Sequence, residues 1–294
     1  MKFNITLYLH ILFIHIMFPV KSYSLKSTSV LALALFLSSC STNKYAATEK
    51  IYKQKSKEFA NLISATPPEG QLYDLQNATN QTWVGSVNFG IRKPNFVILH
   101  HTAQDSLAQT IKTFHSTKAE VSAHYVIGRD GKVVHMVNDY LRSNHAGIGK
   151  WGKDTDLNSS SIGIELDNNG TTDPWPDAQI NSLVKLLETL KKAYNIPTAN
   201  FIGHSDIAPK RKPDPNKFPW KKLALKGFGY WYDDVLKNPP ADFDGPNALK
   251  LMGYDTSDLG AAIVGFKRHF IQSDITPKLT PVDLLVLYNV YMKY

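Results

Sequence analysis

The sequence predicts an α/β fold with a mixed central sheet flanked by helices, followed by a small all-α domain. Apolar, strand-like runs such as "NFVILHHT" and "SSIGIEL" alternate with an amphipathic helical stretch, "DAQINSLVKLLETLKKAY". An Asp-Gly pair separates two further strand-like runs. Three short helical stretches follow "DVLKNPPADFDGP", which is rich in proline, glycine and aspartate. Strands interleaved with helices are typical of α/β domains, and the proline-rich segment indicates a boundary.

The first half of the α/β region is predicted to contain a strand, a helix and a hairpin. "NFVILHHT" is apolar and rich in β-branched residues, as a buried strand requires. In "SLAQTIKTFHS", Leu107, Ile111 and Phe114 recur at helical spacing, and Asp105 or Ser106 is the N-cap. "SAHYVIGRDGKVVHMV" indicates two strands joined at an Asp-Gly turn.

The second half is predicted to contain two strands around a long helix. "SSIGIEL" is an apolar strand, and "TANFIGHSD" is a short strand that runs into a loop. The apolar residues of the intervening helix form one stripe, namely Ile180, Leu183, Val184, Leu187 and Leu190. Beyond the boundary, "NALKLMGY", "LGAAIVGFKRHF" and "PVDLLVLYNVYMKY" are expected to be helices of a domain spanning residues 245–294.

Composition and charge limit the class of protein. The 294 residues are 43% apolar and 20% charged, which is ordinary for a globular protein, so disorder is not the default expectation. The net charge of +8 suggests an anionic partner, such as a nucleic acid, an anionic wall polymer or a membrane, or merely a soluble basic surface. The sequence contains neither a recognisable nucleic-acid-binding motif nor a dense basic run. We therefore expect no nucleic-acid partner.

The N-terminus predicts export and a lipid anchor. The apolar run "SVLALALFLSSC" follows Lys21 and Lys26, and it is short, like the apolar region of a signal peptide. Its end resembles a bacterial lipobox, and Cys40 is the only cysteine of the chain. The alternative is a chance cysteine after an ordinary signal. We predict a signal peptide over residues 1–39, whose start is Met1 or Met17, and a lipidated Cys40 with a polar tether over residues 40–80.

Polar side chains at strand ends suggest a catalytic site within residues 81–235. His100 and His101 end one strand and point to opposite faces, so at most one of them serves a given site. His204 ends another strand, and Asp214 follows ten positions later. Glu165 is a lone carboxylate in an apolar strand, where burying its charge requires compensation. Two histidines, one carboxylate and a spare glutamate are the composition of a catalytic zinc site, although hydrogen-bonded structural histidines and a salt-bridged glutamate would also fit.

Five motifs together resemble one enzyme family. "VILHHTA", "SAHYVIGRDGKV", "NHAG", "SIGIELDN" and "GHSDIAPKRKPDP" followed by "FPW" occur in order between about Asn80 and Leu225. They are similar to the zinc-dependent N-acetylmuramoyl-L-alanine amidases of the amidase-2 group, to which peptidoglycan recognition proteins are related. The resemblance is greatest to outer-membrane lipoprotein members of that family.

The resemblance implies a role for each matched residue. His100, His204 and Asp214 would bind one Zn²⁺, and Asp206, two residues from His204, is the rival ligand to Asp214. Glu165 would be the catalytic glutamate. The catalytic lysine would be Lys212, which stabilises the oxyanion, with Lys210 and Arg211 as rivals. Two further histidines, His124 and His145, match positions that line the substrate groove or support it.

The implied reaction is zinc-dependent hydrolysis of the amide between the lactyl group of N-acetylmuramic acid and L-alanine of peptidoglycan stem peptides. The alternative is a non-catalytic peptidoglycan-binding protein of the same fold. The C-terminal helices resemble a small peptidoglycan-binding module, although the usual glycine-rich loop is replaced by "SDITPKLT". Ser41 is not the aspartate that commonly retains lipoproteins at the inner membrane. We therefore expect an outer-membrane lipoprotein facing the periplasm, with peptidoglycan or muropeptides as substrate.

Overall fold

The computed structural model describes residues 43–64 and 91–294. The predicted signal peptide and Cys40 lie outside the described residues. Within the predicted tether, residues Ala46–Ser64 form helix α1, none of whose residues is buried. Helix α1 belongs to a unit separate from the compact unit that begins at Val84. Among the described residues, no helix has the length and apolar character needed to cross a membrane.

The compact unit contains a sheet of five strands, which are β1 (Phe96–His101), β2 (Tyr125–Ile127), β3 (Val133–His135), β4 (Ser161–Leu166) and β5 (Phe201–Gly203). Their order across the sheet is β3-β2-β4-β1-β5. Strands β2, β4, β1 and β5 are parallel, whereas β3 pairs antiparallel with β2 through the predicted Asp-Gly hairpin. The sheet is therefore mixed, as predicted.

The helices of this unit are α2 (Leu107–Phe114), α3 (Leu157–Ser160), α4 (Asp177–Tyr194), α5 (His204–Ile207), α6 (Trp220–Ala224), α7 (Gly245–Met252), α8 (Leu259–Phe270) and α9 (Pro281–Tyr291). The open choice of N-cap for α2 is resolved, because the Ser106 side chain accepts a hydrogen bond from the backbone N–H of Gln109. Four of the five residues in the predicted stripe of α4 are buried, and Val184 is half-buried.

The two faces of the sheet have different partners. On one face, Val97 and Leu99 of β1 pack in a cluster with Leu183 and Leu187 of α4. On the other face, residues that alternate with these share a cluster with the C-terminal helices. Ile98 of β1 belongs to this second cluster, as do residues of α7, α8 and α9. Helices α7 to α9 therefore cover one face of the sheet.

Candidate metal centre

Three side chains predicted to bind a metal come together at the carboxyl edge of the sheet. His100 lies near the end of β1, and His204 follows β5 directly. Strands β1 and β5 are parallel neighbours, so both histidines reach the same edge. Nδ1 of His100 lies 2.9 Å from Nδ1 of His204, and each of these atoms lies 3.1 Å from Oδ2 of Asp214. All three residues are buried.

The loop that carries Asp214 is fixed by backbone contacts. The N–H of Ser205 donates to the carbonyl oxygen of Asp214 over 2.7 Å, which joins the loop to the start of α5. Arg268 of α8 donates from Nη1 to the carbonyl oxygens of Pro209 and Lys212, at 2.7 and 3.1 Å. The C-terminal helical region therefore holds the loop that supplies a predicted metal ligand and the predicted catalytic lysine.

The protonation of the centre favours a bound cation. Burial, and then the nearby His204, lower the pKa of His100 to about 4, so its ring is neutral at pH 7. Burial tends to raise the pKa of Asp214, but its contacts with the two histidine rings outweigh this, and the pKa lies well below its ordinary value. The centre therefore holds a carboxylate anion and a neutral imidazole at neutral pH.

The orientation of the His204 ring fits a metal ligand. Its Nε2 donates to the carbonyl oxygen of Ala146 over 2.9 Å, so a neutral ring carries a lone pair on Nδ1. The same nitrogen lies 3.1 Å from Oδ2 of Asp214, so a metal ion could be held by both atoms while Nε2–H keeps its hydrogen bond to Ala146. Two imidazole nitrogens and one carboxylate oxygen are a ligand set that suits Zn²⁺ with one coordination position open.

Glu165 lies beside the centre on the neighbouring strand. Its register partner across the β1–β4 ladder is His100, so the two side chains share one face of the sheet. Burial, and then the negative charge of Asp214, raise the pKa of Glu165 to about 8, whereas the charge of Lys212 lowers it. Oε2 of Glu165 is buried without a hydrogen-bond partner among the described residues. Without a metal these effects favour the carboxylic acid, and a cation bound at the neighbouring centre would favour the carboxylate, which accepts a proton.

The two remaining candidate histidines occupy different places. His124 is fully buried, and its ring contacts Oγ of Ser143 over 2.8 Å and the backbone N–H of Gly163 over 3.0 Å. Of the two roles expected for His124, lining the groove or supporting it, this burial favours support. His145 lies nearer the centre, with its Nδ1 3.0 Å from Nε2 of His100.

Two residues left open by the sequence lie outside the triad. His101 faces away from the centre, and its Nδ1 accepts a hydrogen bond from the backbone N–H of Asn216. Asp206, the rival ligand, is bound instead by the N–H of Gly203, the hydroxyl of Tyr254 and the ring of His269. The geometry therefore favours Asp214 over Asp206 as the third ligand.

Some residues that shape the centre were missed by sequence reasoning. Arg92 precedes the first strand and donates to the carbonyl oxygens of Asp139 and Leu141 around the ring of His124. Arg268 and His269, in "FKRHF", contact the loop from helix α8, on the face of the sheet that the C-terminal helices cover. No motif or spacing connects these residues with the centre, so only the folded structure reveals them.

Comparison with known proteins gives one consistent family. Residues 90–217 match the family model described as N-acetylmuramoyl-L-alanine amidase. The chain is 33% identical over 206 residues to N-acetylmuramoyl-L-alanine amidase AmiD of Escherichia coli (strain K12), covering 59% of this chain and 74% of AmiD. It is 44% identical over 104 residues to 1,6-anhydro-N-acetylmuramyl-L-alanine amidase AmpD of Enterobacter cloacae, covering 35% of this chain and 55% of AmpD.

Solved structures agree with the sequence matches. The complex of E. coli AmiD with the substrate anhydro-N-acetylmuramic acid-L-Ala-D-gamma-Glu-L-Lys superposes with a TM-score of 0.61 at 27% identity, covering 71% of this chain and 93% of AmiD. AmpDH3 of Pseudomonas aeruginosa in complex with anhydromuramic pentapeptide superposes with a TM-score of 0.62 at 29% identity, covering 72% and 96%. The similarity therefore extends through most of the compact unit.

Proposed function

Since the chain belongs to the amidase-2 family of N-acetylmuramoyl-L-alanine amidases, we propose that it hydrolyses the amide between the lactyl group of N-acetylmuramic acid and L-alanine of peptidoglycan stem peptides, with Zn²⁺ as its cofactor. The observation that carries this proposal is the convergence of His100, His204 and Asp214 beside Glu165. An unactivated amide requires an activated water and a stabilised oxyanion, and this arrangement offers groups for both tasks.

Each residue has a defined part in the reaction. When bound by His100, His204 and Asp214, Zn²⁺ supplies a Lewis acid that polarises the scissile carbonyl and acidifies water. Glu165 takes a proton from the attacking water at Oε2 and returns it to the nitrogen of the leaving amine. The raised pKa of the metal-free state favours the carboxylic acid that donates to the leaving nitrogen, and the charge of a bound metal would favour the carboxylate that accepts the proton of water.

Lys212 supplies the second positive group. Its ammonium charge reaches both His100 and Glu165, since it lowers the pKa of each. This effect supports a role for Lys212 in stabilising negative charge on the carbonyl oxygen as the tetrahedral state forms. Removing one such donor typically reduces the rate about 10²–10³-fold.

The substrate class follows from the family and its relatives. AmiD and AmpDH3 were solved with anhydromuramic peptides. We therefore infer that this chain acts on muropeptides or on peptidoglycan. A peptidoglycan-binding protein without hydrolysis is the alternative, and the complete set of ligands together with Glu165 argues against it.

The location of the protein is a separate proposal. "LSSC" ends an apolar run, and its Cys40 is the only cysteine, which supports lipidation at that residue. Together with Ser41, this motif supports an outer-membrane lipoprotein that faces the periplasm. Cys40→Ala should release the protein into the soluble periplasmic fraction and abolish labelling with a fatty-acid probe. A membrane-bound, labelled Cys40→Ala protein would contradict the proposal.

The function can be tested with purified protein and muropeptides. Zinc content is measured by elemental analysis, and the products are identified by mass spectrometry. The wild type should release free stem peptide. Glu165→Gln should retain zinc but lose activity about 10²–10⁴-fold, because the proton acceptor is removed. A Glu165→Gln variant that cleaves at the wild-type rate would contradict the assignment, and a zinc-loaded wild type that cleaves no muropeptide would contradict the function.

A further inference from the structure

A chain of three side chains leads from strand β4 to the metal centre. Nε2 of His145 lies 3.2 Å from Oγ of Ser161. Nδ1 of His145 lies 3.0 Å from Nε2 of His100. The opposite nitrogen of His100, Nδ1, is the atom that faces His204 and Asp214. The proton on each ring therefore determines what the centre presents to a metal.

Ser161 fixes the direction of the chain. A serine hydroxyl has one proton to donate, and the Ser161 hydroxyl gives it to the carbonyl oxygen of Leu157. Its oxygen can then only accept from the ring of His145. The contact between Ser161 and His145 is thus a hydrogen bond donated by Nε2–H of His145.

The position of the proton on His145 determines the position of the proton on His100. A neutral imidazole carries one proton, and the contact with Ser161 places that proton on Nε2 of His145. With its proton on Nε2, His145 has a lone pair on Nδ1 and accepts Nε2–H of His100. A neutral His100 ring with its proton on Nε2 has its lone pair on Nδ1, the atom that faces His204 and Asp214.

The ring of His145 is held in place from two sides. The side-chain oxygen of Asn158 accepts the backbone N–H of His145 over 3.0 Å and that of Ala146 over 2.8 Å. On its other side, the ring lies so close to Gly163 of β4 that a Cβ at this position would collide with it. The "IGIEL" strand thus carries a glycine where the ring passes, two residues before Glu165.

We propose that His145 is a positioning residue that selects the metal-binding tautomer of His100, with Ser161 fixing the proton of His145 in turn. This inference rests on the proposed zinc site, and it assigns His145 to the ligand shell rather than to the substrate. A hydrogen-bonded partner that orients a ligand histidine typically contributes about 10–100-fold to metal affinity.

The tautomers can be read directly. In ¹⁵N-histidine-labelled protein, long-range ¹H–¹⁵N correlation spectra distinguish a protonated Nδ1 from a protonated Nε2. With zinc added, His100 and His145 should both carry their proton on Nε2. Single substitutions of each histidine assign the signals. A proton on Nδ1 of His145 would overturn the inference.

Zinc affinity, measured by competition with a chromophoric chelator, provides a second test. His145→Phe retains a ring but removes the acceptor, and it should weaken zinc binding about 10–100-fold. His145→Asn places an amide oxygen where Nδ1 lies, and it should restore binding to within a few-fold of the wild type. Equal weakening by Phe and Asn, or no weakening by Phe, would overturn the proposed mechanism.

Two further variants keep the test decisive. Ser161→Ala removes only the hydroxyl that fixes the proton of His145, so it should weaken zinc binding even if His145→Phe does not fold. His135→Asn is the control, because His135 lies on edge strand β3 with its side chain 51% exposed, and it should leave zinc affinity unchanged. Muropeptide cleavage is not the readout here, so an inactive wild type with the expected tautomers would contradict the function and leave this inference standing.

Discussion

The ring of His269 donates its Nδ1–H to Oδ2 of Asp206 across 2.8 Å, and both side chains are buried. Asp206 lies two residues after His204, a predicted metal ligand, whereas His269 belongs to helix α8 of the C-terminal region. The ring of His269 also stacks on Trp220 at a centroid distance of 3.9 Å. A single carboxylate therefore joins the start of the ligand loop to the helices that cover the sheet.

Loss of this contact should destabilise the whole unit. Asp206→Ala leaves three buried donors unpaired, namely the N–H of Gly203, the hydroxyl of Tyr254 and the ring of His269. We expect the free energy of unfolding in urea to fall by about 3–5 kcal/mol. Asp234→Ala is the control, because that carboxylate is exposed and pairs with Lys221 at the surface. Equal stability of the Asp206 variant and the wild type would show that the contacts of Asp206 do not stabilise the fold.

Metal binding should depend on Asp214 and not on Asp206. Zinc stabilises the folded state by mass action, by about 4 kcal/mol when its concentration is a thousand times the dissociation constant. Removing zinc with a chelator should therefore lower the melting temperature of the wild type, and adding zinc should restore it. Asp214→Asn should abolish this zinc-dependent shift in melting temperature. Asp206→Asn should retain the shift, although its melting temperature without zinc should be lower than that of the wild type. The reverse pattern would make Asp206 the ligand.

Arg268 should affect catalysis from outside the active site. Arg268→Met keeps most of the apolar stem but loses the donors to the carbonyl oxygens of Pro209 and Lys212. Because this loop carries Lys212 and Asp214, we expect kcat/KM for a muropeptide to fall about 10-fold, the rate equivalent of one charged hydrogen bond. Arg268→Lys should recover part of the loss. Arg142→Ala is the control, because Arg142 forms an exposed ion pair with Asp156, and it should leave kcat/KM unchanged. Similar losses in Arg268→Met and Arg142→Ala would argue against a specific role for Arg268.

The metal-free protein should lose stability in acid. Burial, the largest effect, lowers the pKa of His124 from 6.5 to about 4 in the folded state. Between pH 6.5 and 4, His124 is therefore protonated in the unfolded chain but neutral in the folded protein. The stability that depends on this histidine is fully present above pH 6.5 and is lost as the pH falls toward 4. The total change is about 3 kcal/mol.

Unfolding at a series of pH values, with chelator present, tests this effect. His124→Gln should be less stable than the wild type at pH 7, but its stability should fall less steeply between pH 6.5 and 4. The difference in slope corresponds to about one bound proton. Parallel pH profiles for the two proteins would show that His124 does not titrate as its burial requires.

The sequence alone predicted the elements that local periodicity defines. The strand "NFVILHHT", the Asp-Gly hairpin and the amphipathic helix α4 are confirmed, because alternation and helical spacing depend only on near neighbours. Which of His100 and His101 faces the centre could not be decided from alternation, and it depended on family resemblance. The fold shows that His100 shares a face with Glu165 through their register across the ladder.

The contacts that the sequence could not predict are long-range ones. His269 lies 63 residues after Asp206, and Tyr254 lies 48 residues after it, so no local pattern connects them. Similarly, the motif "SAHY" does not indicate whether its histidine is exposed or buried, and only the packing of the folded chain shows that His124 is buried. Domain boundaries and lipidation stay predictions.

The shared core around Ile98 and Phe266 has a consequence for how this enzyme could be shortened or recombined. A chain ending before Gly245 would remove the apolar residues of α7, α8 and α9 from the cluster that holds Phe96 and Ile98, and it would leave the carbonyls of Pro209 and Lys212 without their guanidinium partner. Such a fragment should therefore aggregate more readily and hold the Asp214 loop less firmly than the intact compact unit.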